Sequence, residues 1–145
     1  MEERIYGLLG RKLGHSWSVP IHAALGCREY RLIELEPEEL EGFLRQSSIG
    51  GLNVTIPYKR DVMPFCDVID DAARAIGSVN TLTRRADGKL YAFNTDAAGF
   101  CWMAKRAGID FTGRKAVILG SGGASLTAQA MAKRLGAREV VVISR

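Results

Sequence analysis

Short apolar runs separated by glycine-marked turns dominate the chain, and their spacing switches repeatedly between period two and the three-to-four spacing of a helix. Residues 4–9 read as a strand that ends in Gly7 and Gly10. Residues 19–25 fit a helix with Ser18 as its N-cap, Pro20 in the first turn and Gly26 as its stop. A second strand is expected over 29–35, and a surface helix over 38–46 entered through Pro37. In the run Gly51 to Pro57, the apolar Leu52, Val54 and Ile56 alternate with Asn53 and Thr55. That period predicts a strand with one face on the core and an amide and a hydroxyl on the other. A helix is expected after Pro57, with Tyr58 and Lys59 in its first turn, and another over 67–75 closed by Gly77. Residues 79–84 and 89–94 flank Ala86-Asp87-Gly88, a hairpin signal. A connector helix over 97–107, capped by Asp96 and ended by Gly108, follows.

The pattern changes after Thr112-Gly113. Residues 115–119 are apolar and β-rich, residues 120–125 form a tight glycine turn, and Ala124, Ala128, Met131 and Leu135 recur at helical spacing. Gly136 ends that helix and residues 139–144 give a second buried-looking strand. Strand, glycine turn, helix, strand is the opening βαβ unit of a dinucleotide-binding sheet. The fold class is therefore α/β: a small α/β substrate domain over residues 1–100, then a connector helix and an incomplete Rossmann-like unit over 101–145. A chain ending directly after that strand is expected to be an N-terminal fragment.

Composition narrows the function classes. The chain has 145 residues, 47% of them apolar, with 20 Lys+Arg against 16 Asp+Glu, a formal charge of +4. Such a chain folds around a real core and is neither disordered nor a coiled coil. Its longest apolar runs fall far below the roughly 18 residues of a membrane span, and the charged start is no secretory signal. Three widely spaced cysteines, Cys27, Cys66 and Cys101, fit reduced thiols of a cytoplasmic protein. The two histidines, His15 and His22, show no zinc-ligand spacing, and no metal is expected. The basic residues are scattered rather than gathered in a stripe, so solvated surface outweighs nucleic-acid binding.

In the glycine turn, Gly120 permits the sharp exit from the strand, Gly122 lets backbone approach a pyrophosphate, and free N–H groups at the helix start favour an anion. Ser125 stands where a third glycine or alanine is usual. An NAD site offers a carboxylate at the end of the next strand, whereas this chain offers Ser144-Arg145, whose guanidinium suits a 2′-phosphate and so NADP. Read singly, Ser18 and Asp96 are explained as helix caps, Lys59 as a solvated lysine and Asn80 as a turn residue. Read together, a lysine within reach of a carboxylate can exchange a proton with a substrate oxygen.

Gly14-His15-Ser16-Trp17-Ser18, the run Asn53 to Lys59, Ser78-Val79-Asn80-Thr81, the run Asn94 to Phe100 and Gly120 to Ala124 resemble, in order, the motifs of shikimate dehydrogenases. The resemblance implies reversible reduction of 3-dehydroshikimate to shikimate with NADPH, in aromatic amino acid biosynthesis, by a monomer or homodimer. It implies that Ser16 and Ser18 hold the substrate carboxylate and that Asn53, Thr55, Asn80 and Asp96 hold ring hydroxyls. Lys59 would donate and accept the proton, oriented by Asp96. Gly120, Ser121, Gly122, Gly123 and Ala124 would cradle the pyrophosphate, with Ser144 and Arg145 beginning the 2′-phosphate clamp. Two positions depart from the pattern: Val19 stands in place of the family proline, which comes one later as Pro20, and Ser144-Arg145 replaces Asn-Arg. A non-catalytic module binding shikimate alone, or a quinate relative using NAD, are the competing expectations.

Overall fold

A computed structural model describes residues 4–14 and 16–145; His15 and the first three residues lie outside the described residues. Most of the chain wraps one six-stranded sheet in the order β2-β1-β3-β5-β6-β4. These are β1 (Ile5–Gly10), β2 (Arg31–Glu34), β3 (Ile49–Val54), β4 (Val68–Ile69), β5 (Thr81–Arg84) and β6 (Leu90–Phe93). β1 is parallel to both β2 and β3, with Leu8 opposite Leu32 on one side and Asn53 on the other. β3 and β5 are antiparallel, as are β5 and β6, and β4 returns parallel to β6. The β5-β6 hairpin turns at Gly88, whose φ of +78° favours glycine.

The core fills the space between this sheet and the connecting segments. Leu9, Ile49, Leu82 and Val62 are fully buried in it, beside Leu52, Val54 and Leu90. Short helices α1 (Ser18–Ala24), α2 (Leu40–Leu44) and α3 (Asp71–Ile76) connect the strands. α3 is capped as its sequence requires: the Asp70 carboxylate accepts the Ala73 N–H, and Gly77 at φ +73° closes the helix. The longer α4 (Asp96–Arg106) then leads to a separate two-stranded parallel sheet, β7 (Lys115–Leu119) and β8 (Glu139–Ile143), joined by α5 (Gly123–Arg134). α4 and α5 pack together through Ala97, Met131, Phe100, Cys101 and Leu126, with Ile76 of α3 in the same cluster.

Several sequence expectations shift. Ser18 is the first residue of α1 rather than its cap; the flanking residue is Trp17, and the Ser18 hydroxyl accepts from Ser16 instead. The surface helix begins as a 3₁₀ turn over Pro37–Glu39, with Glu36 and Glu39 forming a reciprocal capping box. No α-helix follows Pro57. The Lys59 carbonyl accepts the Val79 N–H at 2.8 Å, and burial of Tyr58 and Val62 holds the segment in tight turns up to a 3₁₀ turn at Met63–Phe65. The helix expected over 67–75 is split into β4 and α3. Asp96 opens α4 but does not cap it; Asn94 Oδ1 accepts the Ala97 N–H at 3.3 Å. Ile56 lies past the end of β3 and is 73% exposed, so the period-two pattern outruns its strand by one step.

The βαβ unit differs most. Its order is as expected, yet the strands are half open: Leu119 is 81% exposed and Ile143 56%. Of the expected stripe on α5 only Met131 is buried; Ala124 is exposed, Ala128 and Leu135 are half-buried, and Ser125, Thr127 and Ala132 are buried instead. α5 packs against both strands of this sheet.

Candidate functional site

Two chemically unlike segments meet at the end of the larger sheet. The turn after β3 delivers Lys59, and the start of α4 delivers Asp96. Lys59 Nζ donates to Asp96 Oδ2 at 2.6 Å, with the lysine side chain mostly buried and the carboxylate half open. The other carboxylate oxygen, Oδ1, accepts from Asn80 Nδ2 at 2.9 Å. Both Asn80 amide hydrogens are used, the second on Thr95 Oγ1 at 2.9 Å, while its Oδ1 accepts the Thr95 N–H at 2.9 Å. Asn80, just ahead of β5, thus fixes the first turn of α4 and with it the carboxylate. An ammonium locked to a carboxylate from two directions is placed to give and take a proton at a fixed point.

The remaining expected residues are distributed around this pair. Ser16 Oγ donates to Ser18 Oγ at 3.0 Å and accepts the Ser18 N–H at 3.2 Å, so the two hydroxyls share one small hub at the start of α1. Asn53 accepts the Tyr30 hydroxyl on Oδ1 at 2.8 Å. Thr55, half-buried, lines an open groove of about 1170 Å³ together with Ser16, Gly14, Arg11, Lys12 and Pro57. That groove contains neither Lys59 nor Asp96. Lys59 instead borders a smaller cavity of about 260 Å³ with Arg60, Ser121, Gly122 and Gly123. Ile56 and Pro57 line both, so the exposed turn stands between the two spaces. The larger volume reflects openness; the smaller is where the ammonium meets the glycine turn.

The glycine turn carries the chain from β7 into α5. Gly120 has φ +104°, a conformation that side-chain-bearing residues resist, and its N–H is tied to the Ile143 carbonyl at 2.8 Å. A Cβ at Gly120 or Gly122 would stand in open space, whereas one at Gly123 would lie 3.2 Å from Lys59 Cδ. Gly123 and Ala124 open α5, twelve residues long, whose N-terminus carries the positive end of the helix dipole. Ser121 Oγ and Ser144 Oγ are 2.8 Å apart, which brings Ser144 and the exposed Arg145 beside the turn. Among the described residues no group of three or more His, Cys, Asp or Glu side chains gathers as a metal site would require.

Sequence reasoning passed over four residues of this neighbourhood. Thr95 shares its hydroxyl and N–H with Asn80. Asn94, buried, donates to the Ser78 carbonyl at 2.8 Å and lies 3.4 Å from Thr127 Oγ1 on α5. Ser78 is fully buried with its hydroxyl unpartnered among the described residues. Tyr30 is the fourth. Ser78, Asn94 and Thr95 stand inside motifs named above, so their polarity is a usable signal; Tyr30 offers none.

The model of the shikimate dehydrogenase substrate binding domain matches residues 8–82. A shikimate dehydrogenase (NADP(+)) of Halothermothrix orenii is 42% identical over 98% of this chain, which covers 52% of that relative. The crystal structure of shikimate dehydrogenase from Aquifex aeolicus superposes with a TM-score of 0.88 at 32% identity, over 99% of this chain and 56% of that one. That of the Thermus thermophilus enzyme in complex with NADP(H) and shikimate gives 0.83 at 33% identity, over 98% and 56%. The chain spans about half the length of the curated relatives it matches.

Proposed function

The chain belongs to the shikimate dehydrogenase substrate-binding-domain family, and from that premise we propose that it holds the substrate side of an NADP-dependent shikimate dehydrogenase. The reaction is the reversible reduction of 3-dehydroshikimate to shikimate. The observation that carries this reading is the 2.6 Å contact between Lys59 and Asp96 beside the glycine turn. When bound, the nicotinamide supplies the hydride; the other steps belong to this chain. As the carbonyl carbon is reduced, negative charge grows on its oxygen, and the Lys59 ammonium stabilises that charge and transfers its proton to it. In the reverse direction the neutral amine takes the alcohol proton. Asp96, held by Asn80, keeps Nζ in place through both directions and offers a carboxylate oxygen to the adjacent hydroxyl.

The Ser16 and Ser18 hydroxyls supply neutral donors for the substrate carboxylate, and Asn53 and Thr55 face the ring hydroxyls from the polar side of β3 and the turn beyond it. Gly120 to Ala124 hold the pyrophosphate and Ser144 with Arg145 the 2′-phosphate. Residues 1–100 then form the substrate-binding domain and residues 101–145 the connector and the start of the nucleotide-binding unit.

Nicotinamide absorbance in the presence of shikimate and NADP tests the assignment. Lys59→Ala is expected to lower turnover roughly 10²- to 10⁴-fold with little change in the melting temperature. Turnover equal to the unmodified protein rejects the role of Lys59. Calorimetry with shikimate and NADP separately adds a second arm: shikimate binding without nucleotide binding or turnover identifies a binding module instead.

A further inference from the structure

Tyr30 has no role in the proposed proton transfer, yet its contacts tie it to residues on both flanks of the proposed substrate site. It is 6% exposed, immediately before β2, and packs with Leu8 and Leu13. Because β1 lies between β2 and β3, the ring reaches past β1, and its hydroxyl donates to Asn53 Oδ1 at 2.8 Å. His22 stacks flat on the ring, centroids 3.6 Å apart and planes 5° from parallel. His22 Nδ1 in turn lies 2.8 Å from the Ser18 carbonyl oxygen. A continuous chain of contacts therefore runs from the Ser16–Ser18 hub through His22 and Tyr30 to Asn53. Burial pushes the Tyr30 phenol up to about 12, so it stays a protonated donor at neutral pH.

We infer that Tyr30 is a positioning residue: its hydrogen bond holds the Asn53 amide in one place across β1, where the proposed site presents it to a ring hydroxyl. The inference rests on the proposed reading of the cleft as a shikimate site. The stack on His22 holds the phenol in plane, and thereby sets Asn53 relative to Ser18.

Calorimetric titration of the 145-residue chain with shikimate, and with three analogues each lacking one ring hydroxyl, tests this. Tyr30→Phe keeps the ring and the stack and deletes only the donor. The expected result is a roughly five- to tenfold weaker affinity for shikimate, unchanged affinity for NADP, and loss of the penalty for one analogue only. In the Asn53→Ala background the Tyr30→Phe change is expected to have no further effect on shikimate affinity. A Tyr30→Phe chain that binds shikimate as tightly as the unmodified one, or loses affinity equally for all three analogues, overturns the inference while leaving the site reading intact. No shikimate binding by the unmodified chain overturns the site reading and the inference with it. Should Tyr30→Phe not fold, the unmodified sequence carrying 3-fluorotyrosine gives the same answer: the Tyr30 fluorine resonance is expected to move on shikimate addition, and a resonance that stays put overturns the proposal.

Discussion

The two sheets of this molecule follow the same grammar of strand, turn and helix and reach opposite states of burial. In the larger sheet Leu9, Leu52, Leu82 and Leu90 are at most 2% exposed, whereas Val117, Leu119 and Ile143 of the smaller sheet are more than half exposed. The catalytic candidates stand on the first, and the glycine turn stands on the second. Precision at the Lys59–Asp96 pair thus derives from a packed scaffold, while the turn is held by α5 against α4 and by the paired ends of β7 and β8. Such a difference implies that damage to each region has a different signature: loss of fold in one, loss of alignment in the other.

Core truncation should expose it most strongly. Leu52→Ala removes a fully enclosed side chain from the centre of β3 and is expected to cost about 2–5 kcal/mol in denaturant unfolding. Val117→Ala, on a strand face 53% exposed, is expected to cost less than about 1 kcal/mol. Equal losses at the two positions would erase the distinction.

Asn94 is where the regions join. Its amide donates to the Ser78 carbonyl and approaches Thr127 on α5, and its carbonyl accepts the Ala97 N–H. Asn94→Ala leaves a buried carbonyl and an amide without partners, an expected loss of about 1–3 kcal/mol. Thr127→Val removes only the 3.4 Å contact and is expected to cost less. If Thr127→Val costs as much, the bond to α5 rather than the bond to Ser78 anchors the junction.

Much of this architecture was legible in the chain, and the failures have physical causes. The β5-β6 hairpin follows from Asp87-Gly88 between alternating strands, and the end of α3 from Gly77, although the helix starts at Asp71 rather than at 67. Local chemistry fixes those elements. The segment after Pro57 departs from its helical pattern because a distant partner, the Val79 N–H, takes the Lys59 carbonyl, and burial of Tyr58 outweighs helix propensity. The exposure of β7 and β8 escaped notice because an apolar run records what a strand can bury, not what lies against it. In the site, the pairing of Lys59 with Asp96 is implied by the family resemblance rather than by local pattern, and their contact spans 37 residues. Tyr30 and Asn53 were not paired, since only the β2-β1-β3 order brings them together.

Alkaline titration probes the packed region more gently. Burial, with a smaller contribution from Asp67, pushes the Cys66 thiol from 9.0 up to about 12. Below pH 9.0 the thiol is protonated whether folded or unfolded and no stability is lost. Between 9.0 and about 12 the unfolded chain ionises first, so stability falls as pH rises through that window. Cys66→Ala is expected to flatten the decline measured by urea unfolding at pH 9 and 10, and Cys66 should resist alkylation at pH 8. An unchanged slope would move the alkaline loss to other groups, among them the buried Tyr30 phenol.

The smallest expected effect lies in the open region, where Lys115 and Glu139 sit directly opposite in the β7-β8 register with Nζ and Oε1 3.1 Å apart. Both side chains are about half exposed, so water screens the pair and it contributes only about 0.2–1 kcal/mol. Glu139→Gln keeps the shape and removes the charge. Its effect should shrink toward zero when salt is raised from about 0.01 M to 1 M, because the screening length falls from roughly 30 Å to 3 Å. In a sheet with so little buried apolar surface, even this increment bears on how firmly the ends of β7 and β8 hold Gly120. The informative readout is therefore NADP affinity at low salt beside overall stability. A change in affinity without a change in unfolding would locate the effect in the alignment of the turn, and a change in unfolding alone would mean that the smaller sheet contributes to the fold as cooperatively as the larger one.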